Sequence, residues 1–403
     1  MMYKYKYFLV LFAVLLFLPL SGFAQKKQIS QARDYIKSGN NLQVAEQLMT
    51  DLLKDSANRG NMKIWTTLFE SVKAQYDQGN EKLYLKQQCD TAAIFNTTYR
   101  LFSVLEQMDS VDAMPDEKGT VKLKFRKSHA EYLNTYRPNL FNGGAYFINK
   151  KNYQRAFDFF DAYIDCHRQP LFSVYHYMEQ DKHMAEAAYW ASYCGYKEKD
   201  VDKTGKYLDL ALRDTTRRDF LLQFKCEMLK MKGDSTAYVG TLREGFDLYP
   251  SFPFFFPRLI DYYAEHDLQD SAMAVVNKAL AIDSANVLYR FTKSTVLLNT
   301  GKYDECIDIC KRLLAENDTL VDAHFNIGLA YFNKAIELDK VSQRYASARK
   351  KIIENYTKSR PYMERYRQLA PDQKQKWAPV LYTIYLNLNM GKEFDEIDRL
   401  MKK

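Results

Sequence analysis

The chain has 403 residues, of which 47% are apolar and 15% aromatic, so it contains enough apolar material to bury a large core. Its formal net charge of +8, from 58 basic and 50 acidic residues, is small for this length and includes Lys4 and Lys6 near the N-terminus. The balance excludes a strongly polyanionic or polycationic chain. It predicts a solvated surface of mixed charge with weak attraction to acidic polymers or membrane surfaces.

Residues 1–24 have the pattern of a secretory signal peptide. Lys4 and Lys6 precede an apolar run, Phe8 to Leu20, and Gly22-Phe23-Ala24 supplies small residues for cleavage after Ala24. The run has 13 residues, too few for a transmembrane helix of about 20. No cysteine follows it to carry a lipid. The pattern predicts an exported protein without a transmembrane segment and favours the periplasm over a surface lipoprotein.

Residues 25–128 are predicted to form degenerate helical repeats with an interrupting loop. Apolar and small residues recur at helical spacing in two sets, Ala45, Met49 and Leu52, then Trp65, Leu68 and Val72. Pro115 and Gly119, with alternating charge, indicate a loop over 109–128.

Residues 129–218 repeat the helical pattern more clearly. Over 137–170 the spaced apolar and small positions are Leu140, Gly144, Phe147, Tyr153, Ala156, Phe160 and Tyr163. A weaker set over 185–214 consists of Ala188, Ala191, Ser192, Leu208 and Ala211. Each set predicts two amphipathic helices joined by a turn.

Residues 219–403 contain the strongest periodicity. Pro250, Ser284 and Asp318 are 34 residues apart, and each ends a unit with the pattern helix, turn, helix. The pattern predicts helices at about 253–266, 269–282, 287–300 and 303–316, with turns at Asp267, Gly301 and the three spaced residues. A unit of this length cannot bury its own apolar face, so it has to stack on its neighbours.

This register resembles the tetratricopeptide repeat (TPR) family. Pro250, Asn286, Gly301-Lys302-Tyr303 and Gly328 fit the family pattern, whereas Thr241, Ile260 and Lys293 depart from it. The resemblance implies an all-α fold, an α-α superhelix of about seven to nine helical hairpins. It also implies a protein that binds a partner and carries no catalytic residues and no cofactor.

Two segments of the last region depart from the repeat length. Residues 335–357 are predicted to insert a protruding helical pair, in which Ile336, Leu338 and Val341 prolong a helix. The chain then resumes at Pro361, and a C-terminal helix through Trp377, Leu381 and Leu388 caps the final core face.

The resemblance also implies which residues line the concave groove. Family geometry gives Phe254, Asp261, Leu288, Phe291, Thr295, Asn299, Phe325, Asn326, Leu329 and Phe332. This surface is aromatic and nearly uncharged. Of the positions that hold a terminal carboxylate in peptide-clamp members of the family, only Asn326 matches, so recognition of chaperone C-termini is not expected.

The run Phe252 to Pro257 has two interpretations. Its rings either pack in the core between repeats, which is favoured, or form a partly exposed anchor on the concave face.

No motif for catalysis or metal binding stands out. Cys306 and Cys310 have the spacing of a metal pair, but their positions suit core packing. Cys166-His167 suggests a nucleophile and its base, although sequence neighbours seldom form such a pair. Disulfides between neighbouring repeats remain possible for an exported chain.

Two basic clusters, Lys122 to Lys127 and Arg349 to Lys351, could bind nucleic acid, but export argues against that partner. Solvated faces, or contacts to an acidic partner or an envelope component, are favoured instead. The sequence thus predicts a non-enzymatic periplasmic scaffold for a protein or peptide partner. The alternative is a carbohydrate- or nutrient-binding accessory protein of an outer-membrane uptake system, although such relatives tend to be lipidated.

Overall fold

The structure, a computed structural model, describes residues 24–341 and 346–402, and every regular element within these ranges is a helix. The predicted all-α class of helical hairpins is therefore confirmed. The helices form two compact units that divide between Tyr238 and Val239. The predicted signal peptide lies outside the described residues except for Ala24.

The first unit is built from hairpins whose consecutive helices pack against each other. Its helices are α1 (24–38), α2 (Leu42–Lys54), α3 (Met62–Tyr84), α4 (Thr91–Asp112), α5 (Arg126–Tyr136), α6 (Pro138–Asn149), α7 (Tyr153–Asp165), α8 (Tyr177–Gln180), α9 (Met184–Glu198), α10 (Val201–Lys206), α11 (Leu208–Ala211) and α12 (Arg218–Lys232). Short 3₁₀ segments cover Ser56–Asn58, Pro170–Tyr175 and Thr215–Arg217.

Polar caps define where several of these helices begin. The side-chain oxygens of Asn61, Asp90, Asn152 and Asp200 accept hydrogen bonds from backbone N–H groups in the first turns of α3, α4, α7 and α10. Each cap satisfies a donor that the helix itself cannot pair. The hairpin boundaries are thus encoded locally.

The predicted loop over 109–128 is present but shorter. Helix α4 continues through Asp112, and the connection to α5 covers 113–125. Asp109 and Asp112 are buried and bind Arg126 and the Phe125 backbone, respectively, which keeps the end of α4 helical. The repeat predicted over 185–214 is also modified, because its second helix is broken into α10 and α11 at Tyr207.

A buried arginine fixes the long connection between α7 and α9. The Arg137 guanidinium lies 3.7 Å from the ring centroid of Tyr163 and 3.8 Å from that of Tyr177. Its Nη1 donates to Asp181 Oδ2 at 2.6 Å, and its Nη2 donates to the Tyr163 carbonyl at 3.1 Å. This centre joins α7 to α8 and to the residues that precede α9.

Helix α13 (Ser235–Leu248) contains the division between the two units. The helices that follow are α14 (Phe255–Glu265), α15 (Gln269–Ile282), α16 (Val287–Asn299), α17 (Tyr303–Glu316), α18 (Val321–Val341), α19 (Ala346–Leu369), α20 (Lys374–Asn387) and α21 (Gly391–Met401). The four predicted helices agree with α14 to α17 within two residues. Asp267 and Gly301 have positive φ of 55° and 74° in the predicted turns. The Phe252 to Pro257 run is confirmed as core, because Phe254, Phe255 and Phe256 are buried.

The end of the chain differs from the prediction in two ways. Pro361 lies inside α19 and does not mark a new start. Tyr356, Met363 and Tyr366 are buried along one face of α19, and this packing outweighs the hydrogen bond that proline removes. A further helix, α21, follows the predicted C-terminal helix and buries Ile397 against the same cluster.

Candidate functional site

Two of the described clefts lie side by side between α2 and α4, above α3. One has a volume of about 560 Å³ and reaches from Glu46 to Lys54 along α2 and from Arg100 to Gln107 along α4. The other has a volume of about 520 Å³ and lies beside Gln43 and the first turns of α4. Arg100 lines both, so together they form one groove, here named the α2–α4 groove.

Helix packing explains the direction and length of this groove. Both α2 and α4 pack on α3, so they run in the same direction on either side of it. From residue 92 to residue 107, the groove follows α4 for about 22 Å at 1.5 Å per residue. Trp65 and Leu68 of α3 form an apolar floor at one end. The indole N–H of Trp65 donates to the Arg59 carbonyl at 2.7 Å, which fixes the ring.

A charged bridge spans the floor where the two clefts meet. Arg100 Nε lies 2.9 Å from Glu46 Oε1, and Arg100 Nη2 donates to Gln75 Oε1 at 3.2 Å and Thr97 Oγ1 at 3.1 Å. Gln75 Nε2 in turn donates to Glu46 Oε2 at 2.7 Å. The bridge joins three helices, and its opposite charges compensate each other. It therefore stabilises the shape of the groove more than it selects a charged ligand.

Besides the charged residues Lys54, Arg59, Lys82 and Asp90, the walls carry amide and hydroxyl groups. They come from Gln43, Thr50, Gln78, Gln88, Asn96, Ser103 and Gln107. Some of these groups are already engaged: Gln78 Nε2 donates to the Gly39 carbonyl at 2.7 Å, and Asn96 Oδ1 accepts from Arg155 Nε at 2.9 Å. Each side-chain amide has both donors and acceptors, so the walls can pair with ligand groups of either kind. Peptide backbones and sugar hydroxyls are ligands of this type.

The groove residues predicted on α18 are largely covered by neighbouring helices. Phe325 lies 4.8 Å from the ring of Tyr366, and Phe332 lies 5.9 Å from the ring of Tyr356, both on α19. Leu329 packs against the apolar clusters on both sides of α18. These side chains hold the long α18–α19 hairpin together.

Two further predicted residues are buried. Asn326 Nδ2 donates to Ser294 Oγ at 3.2 Å and to Thr295 Oγ1 at 3.1 Å, so its amide is engaged within the protein. The structure thereby brings Thr295 and Asn326 together. Phe254 is in the core beneath the Arg258 guanidinium, whose carbon lies 3.7 Å from its ring centroid.

The remaining predicted residues are accessible. Leu288 is 50% exposed, Asp261 and Asn299 are exposed, and Phe291 is partly buried. One face of α16 carries four of the predicted residues at helical spacing, namely Leu288, Phe291, Thr295 and Asn299. This face of α16, here named the α16 stripe, and Asp261 on α14 are therefore the most accessible parts of the predicted surface.

The α2–α4 groove was not predicted from the sequence. One signal was present, since Gln75 and Gln78 lie one helical turn apart on α3 and polar residues recur at similar spacing on α4. In the sequence alone, that pattern is typical of a solvent-exposed helix face. It indicates a groove only when the packing of α2, α3 and α4 is known.

The cysteines considered as reactive or metal-binding groups lie in the core. Cys306 and Cys310 are fully buried between α16, α17 and α18. The Cys166 thiol donates to the Ala162 carbonyl at 3.2 Å, and burial raises its pKa. His167 contacts a different acceptor, the Ile164 carbonyl, so the two side chains do not form a nucleophile and base.

No group of three or more His, Cys, Asp or Glu side chains within 24–341 and 346–402 could hold a metal ion. None of the helices in these ranges is both long and apolar enough to cross a membrane.

No family model matches the chain, and no curated protein matches it. Solved structures with similar folds do exist. The C-terminal part of a TPR repeat-containing protein from Cytophaga hutchinsonii has a TM-score of 0.43 and 11% identity, covering 64% of this chain and 92% of that one. A TPR repeats protein from Bacteroides fragilis has a TM-score of 0.29 and 16% identity, covering 66% and 98%.

A monomeric IFIT1 mutant with Gppp-AAAA has a TM-score of 0.36 and 13% identity, covering 93% of this chain and 72% of that one. As the sequence resemblance predicts, structures of tetratricopeptide repeat proteins are among those similar to this chain. The three TM-scores are below 0.5, so no ligand or partner is transferred to this chain from these proteins.

Proposed function

We propose that this protein is a non-enzymatic scaffold that holds an extended polypeptide segment in the α2–α4 groove. The observation that carries the proposal is a groove about 22 Å long whose walls include many amides and hydroxyls. An extended peptide rises about 3.3 Å per residue, so the groove accommodates six or seven residues. Its backbone N–H and C=O groups alternate in direction, and Gln and Asn side chains can pair with both.

The apolar floor and the wall amides support a polypeptide segment that carries one or two apolar side chains. The Glu46–Arg100 bridge is internally compensated, and the apolar floor at Trp65 and Leu68 suits one or two apolar side chains of the bound segment. A few such anchors supply most of the binding energy at protein interfaces. Backbone pairing along the walls then provides tolerance for different sequences.

The location proposed is the periplasm, supported by the signal-peptide pattern of residues 1–24. The α16 stripe, which belongs to the second unit, is proposed as a separate contact surface. A free C-terminal carboxylate is not required, because the one matching clamp residue, Asn326, already donates to Ser294 and Thr295.

Selection from a library of random ten-residue peptides tests the proposal. We expect the protein to enrich peptides, and amidation of their C-termini should leave their Kd unchanged. Thr50→Trp places an indole in the groove and should weaken binding at least tenfold. The matched control is Thr357→Trp on α19. Both threonines are exposed, and each donates to the carbonyl four residues earlier, at 2.9 Å in Thr50 and 2.8 Å in Thr357.

Two results would reject the proposal. One is equal loss of peptide binding in both tryptophan variants, which would place the site elsewhere or indicate general damage. The other is binding of a neutral oligosaccharide, such as maltohexaose, that Thr50→Trp abolishes while no peptide is enriched. That second outcome would support the carbohydrate-binding alternative, because sugar hydroxyls use the same wall groups.

A further inference from the structure

The connection between α4 and α5 presents apolar side chains to solvent. This segment, residues 113–125, is here named the α4–α5 loop. Met114 is 56% exposed, Val121 50% and Leu123 45%. Large apolar groups exposed together on a short loop mark a contact surface more often than isolated ones do.

Lysines surround these apolar groups. Lys118, Lys122 and Lys124 are exposed on the loop, and Lys127 is exposed at the start of α5. The loop carries two acidic residues, Asp116 and Glu117, against three lysines, so its net charge is +1. Lys122 Nζ lies 3.9 Å from Asp116 Oδ2. Apolar and basic residues alternate over 121–124, so both kinds of group are exposed on the same short segment.

The loop has a defined shape. Asp116 Oδ1 accepts from the backbone N–H of Lys118 at 3.0 Å and of Thr120 at 2.9 Å. The Asp116 N–H donates to the Thr120 carbonyl at 2.9 Å, and Gly119 has φ of 77°, which glycine adopts without strain. A turn closed in this way loses less conformational entropy when it binds.

Buried carboxylates attach the base of the loop to α4. Asp112 Oδ2 accepts from the Phe125 N–H at 2.9 Å. Asp109 accepts from Nε and Nη2 of Arg126, both at 2.8 Å, so this arginine is neutralised and does not add to the basic charge of the loop. The base of the α4–α5 loop is therefore fixed.

We propose that the α4–α5 loop docks on an anionic lipid bilayer. The lysines lie at the level of the phosphate headgroups, and Met114, Val121 and Leu123 enter the boundary with the acyl chains. Charge complementarity selects this partner, together with the apolar groups, since insertion into a lipid interface uses both. A nucleic-acid backbone would use the lysines and leave the apolar side chains without a contact. The proposal does not depend on peptide binding in the α2–α4 groove.

Sedimentation with lipid vesicles tests the proposal on the full chain. We expect binding to vesicles of phosphatidylcholine with about 30% phosphatidylglycerol, and much weaker binding to phosphatidylcholine alone. Each lysine near an anionic surface contributes about a fivefold gain in affinity. The triple variant K118Q/K122Q/K124Q should therefore lose about 100-fold.

Matched controls separate the loop from general charge and hydrophobicity. R349Q/K350Q/K351Q removes the same charge from exposed residues of α19 and should lose less than threefold. M114S/V121S/L123S should lose at least tenfold. Its control, V174S/M231S/L386S, removes exposed apolar groups elsewhere and should bind as the parent chain does.

Three results would overturn the proposal: equal binding to neutral and anionic vesicles, equal loss in the two basic triple variants, or unchanged binding of the apolar loop variant. Tighter binding of a 24-base-pair DNA duplex than of anionic vesicles, dependent on the loop lysines, would also contradict it. That result would identify a polyanion site.

Discussion

The buried Arg137 side chain should contribute strongly to the stability of the first unit, and its substitution tests this directly. Its side chain is 6% exposed and that of its partner Asp181 is 11% exposed. The Tyr163 and Tyr177 rings enclose the guanidinium, at centroid distances of 3.7 and 3.8 Å. Arg137→Met keeps most of the volume but removes the charge, both ring contacts and the hydrogen bonds.

The loss of unfolding free energy in Arg137→Met depends on which groups stay buried without a partner. Removing one partner of a buried ion pair costs about 3–5 kcal/mol, because the other charge stays buried. Asp181 keeps two hydrogen bonds, from Tyr163 OH at 2.6 Å and from the His183 N–H at 2.9 Å, which favours the lower end of this range. The lost cation–π contacts are desolvated and add up to about 2 kcal/mol each. We therefore expect a loss of about 3–7 kcal/mol in the free energy of unfolding.

The assay is urea denaturation followed by far-UV circular dichroism, with Arg312→Met as the control. Arg312 is exposed and should change the free energy by about 0.5 kcal/mol or less. In a double-mutant cycle, Arg137→Met and Asp181→Asn should be coupled by about 1–3 kcal/mol. A loss below about 1 kcal/mol for Arg137→Met, or no coupling, would refute the assigned role of this centre.

The pH dependence provides a second check on the same pair. Burial raises the pKa of Asp181, but the hydrogen bonds from Tyr163 and His183 and the charge of Arg137 outweigh it, so the pKa lies below its usual range. A lowered carboxylate pKa gives stability that is complete above the unfolded value of about 3.9 and is lost as the pH falls below it. The difference between the parent chain and Arg137→Met should therefore shrink below about pH 4. An increase there would contradict the reasoning.

Two further predictions concern substitutions at single positions. A Cβ on Gly195 would lie 2.3 Å from the backbone nitrogen of Thr204, so Gly195→Ala should lower the unfolding free energy by about 1–3 kcal/mol. A Cβ on Gly240 would have no heavy atom within 4 Å, so Gly240→Ala should raise the unfolding free energy by about 0.5–1 kcal/mol. Equal melting temperatures for the two variants would contradict this packing. Burial and the charge of Asp165 raise the pKa of Glu106 to about 8, so stability should fall as the pH rises from about 4 to 8. Glu106→Gln should then be more stable than the parent chain at pH 9 and nearly equal at pH 5; the same difference at both values would rule out this titration.

The regular hairpins were predictable because their signals are local. Asn286 caps α16, and the positive φ of Asp267 and Gly301 ends α14 and α16 at the positions expected from the repeat. Small residues were informative as well. Gly328 lies where a Cβ would come within 2.5 Å of Met363 Sδ, so the family's small position reflects a real close approach of two helices.

The surface was less predictable because it depends on which helices cover which faces. Phe325 and Phe332 have the spacing of groove residues, but α19 is long enough to place Tyr366 and Tyr356 on them. Pro361 indicated a break, yet packing along α19 keeps the helix continuous through it. Such outcomes follow from contacts across helices, which a single repeat does not contain.

The α2–α4 groove was not predictable for the same reason. Glu46, Gln75 and Arg100 are separated by 29 and 25 positions in the chain and meet only when α2 and α4 flank α3. Each residue alone resembles an ordinary solvated side chain. Their arrangement depends on the side-chain directions of three helices, which the sequence pattern does not specify.

Photo-crosslinking tests the central claim, that the α2–α4 groove is the binding site, most directly. The photoreactive residue p-benzoylphenylalanine would replace Thr50 in the groove or Leu288 on the α16 stripe, and each variant would be irradiated with a library-selected peptide. Both positions are exposed, so the two probes are comparably accessible. We predict that the peptide crosslinks at Thr50 in preference to Leu288. Crosslinking at Leu288 with none at Thr50 would contradict the account and assign binding to the stripe predicted from the repeat pattern.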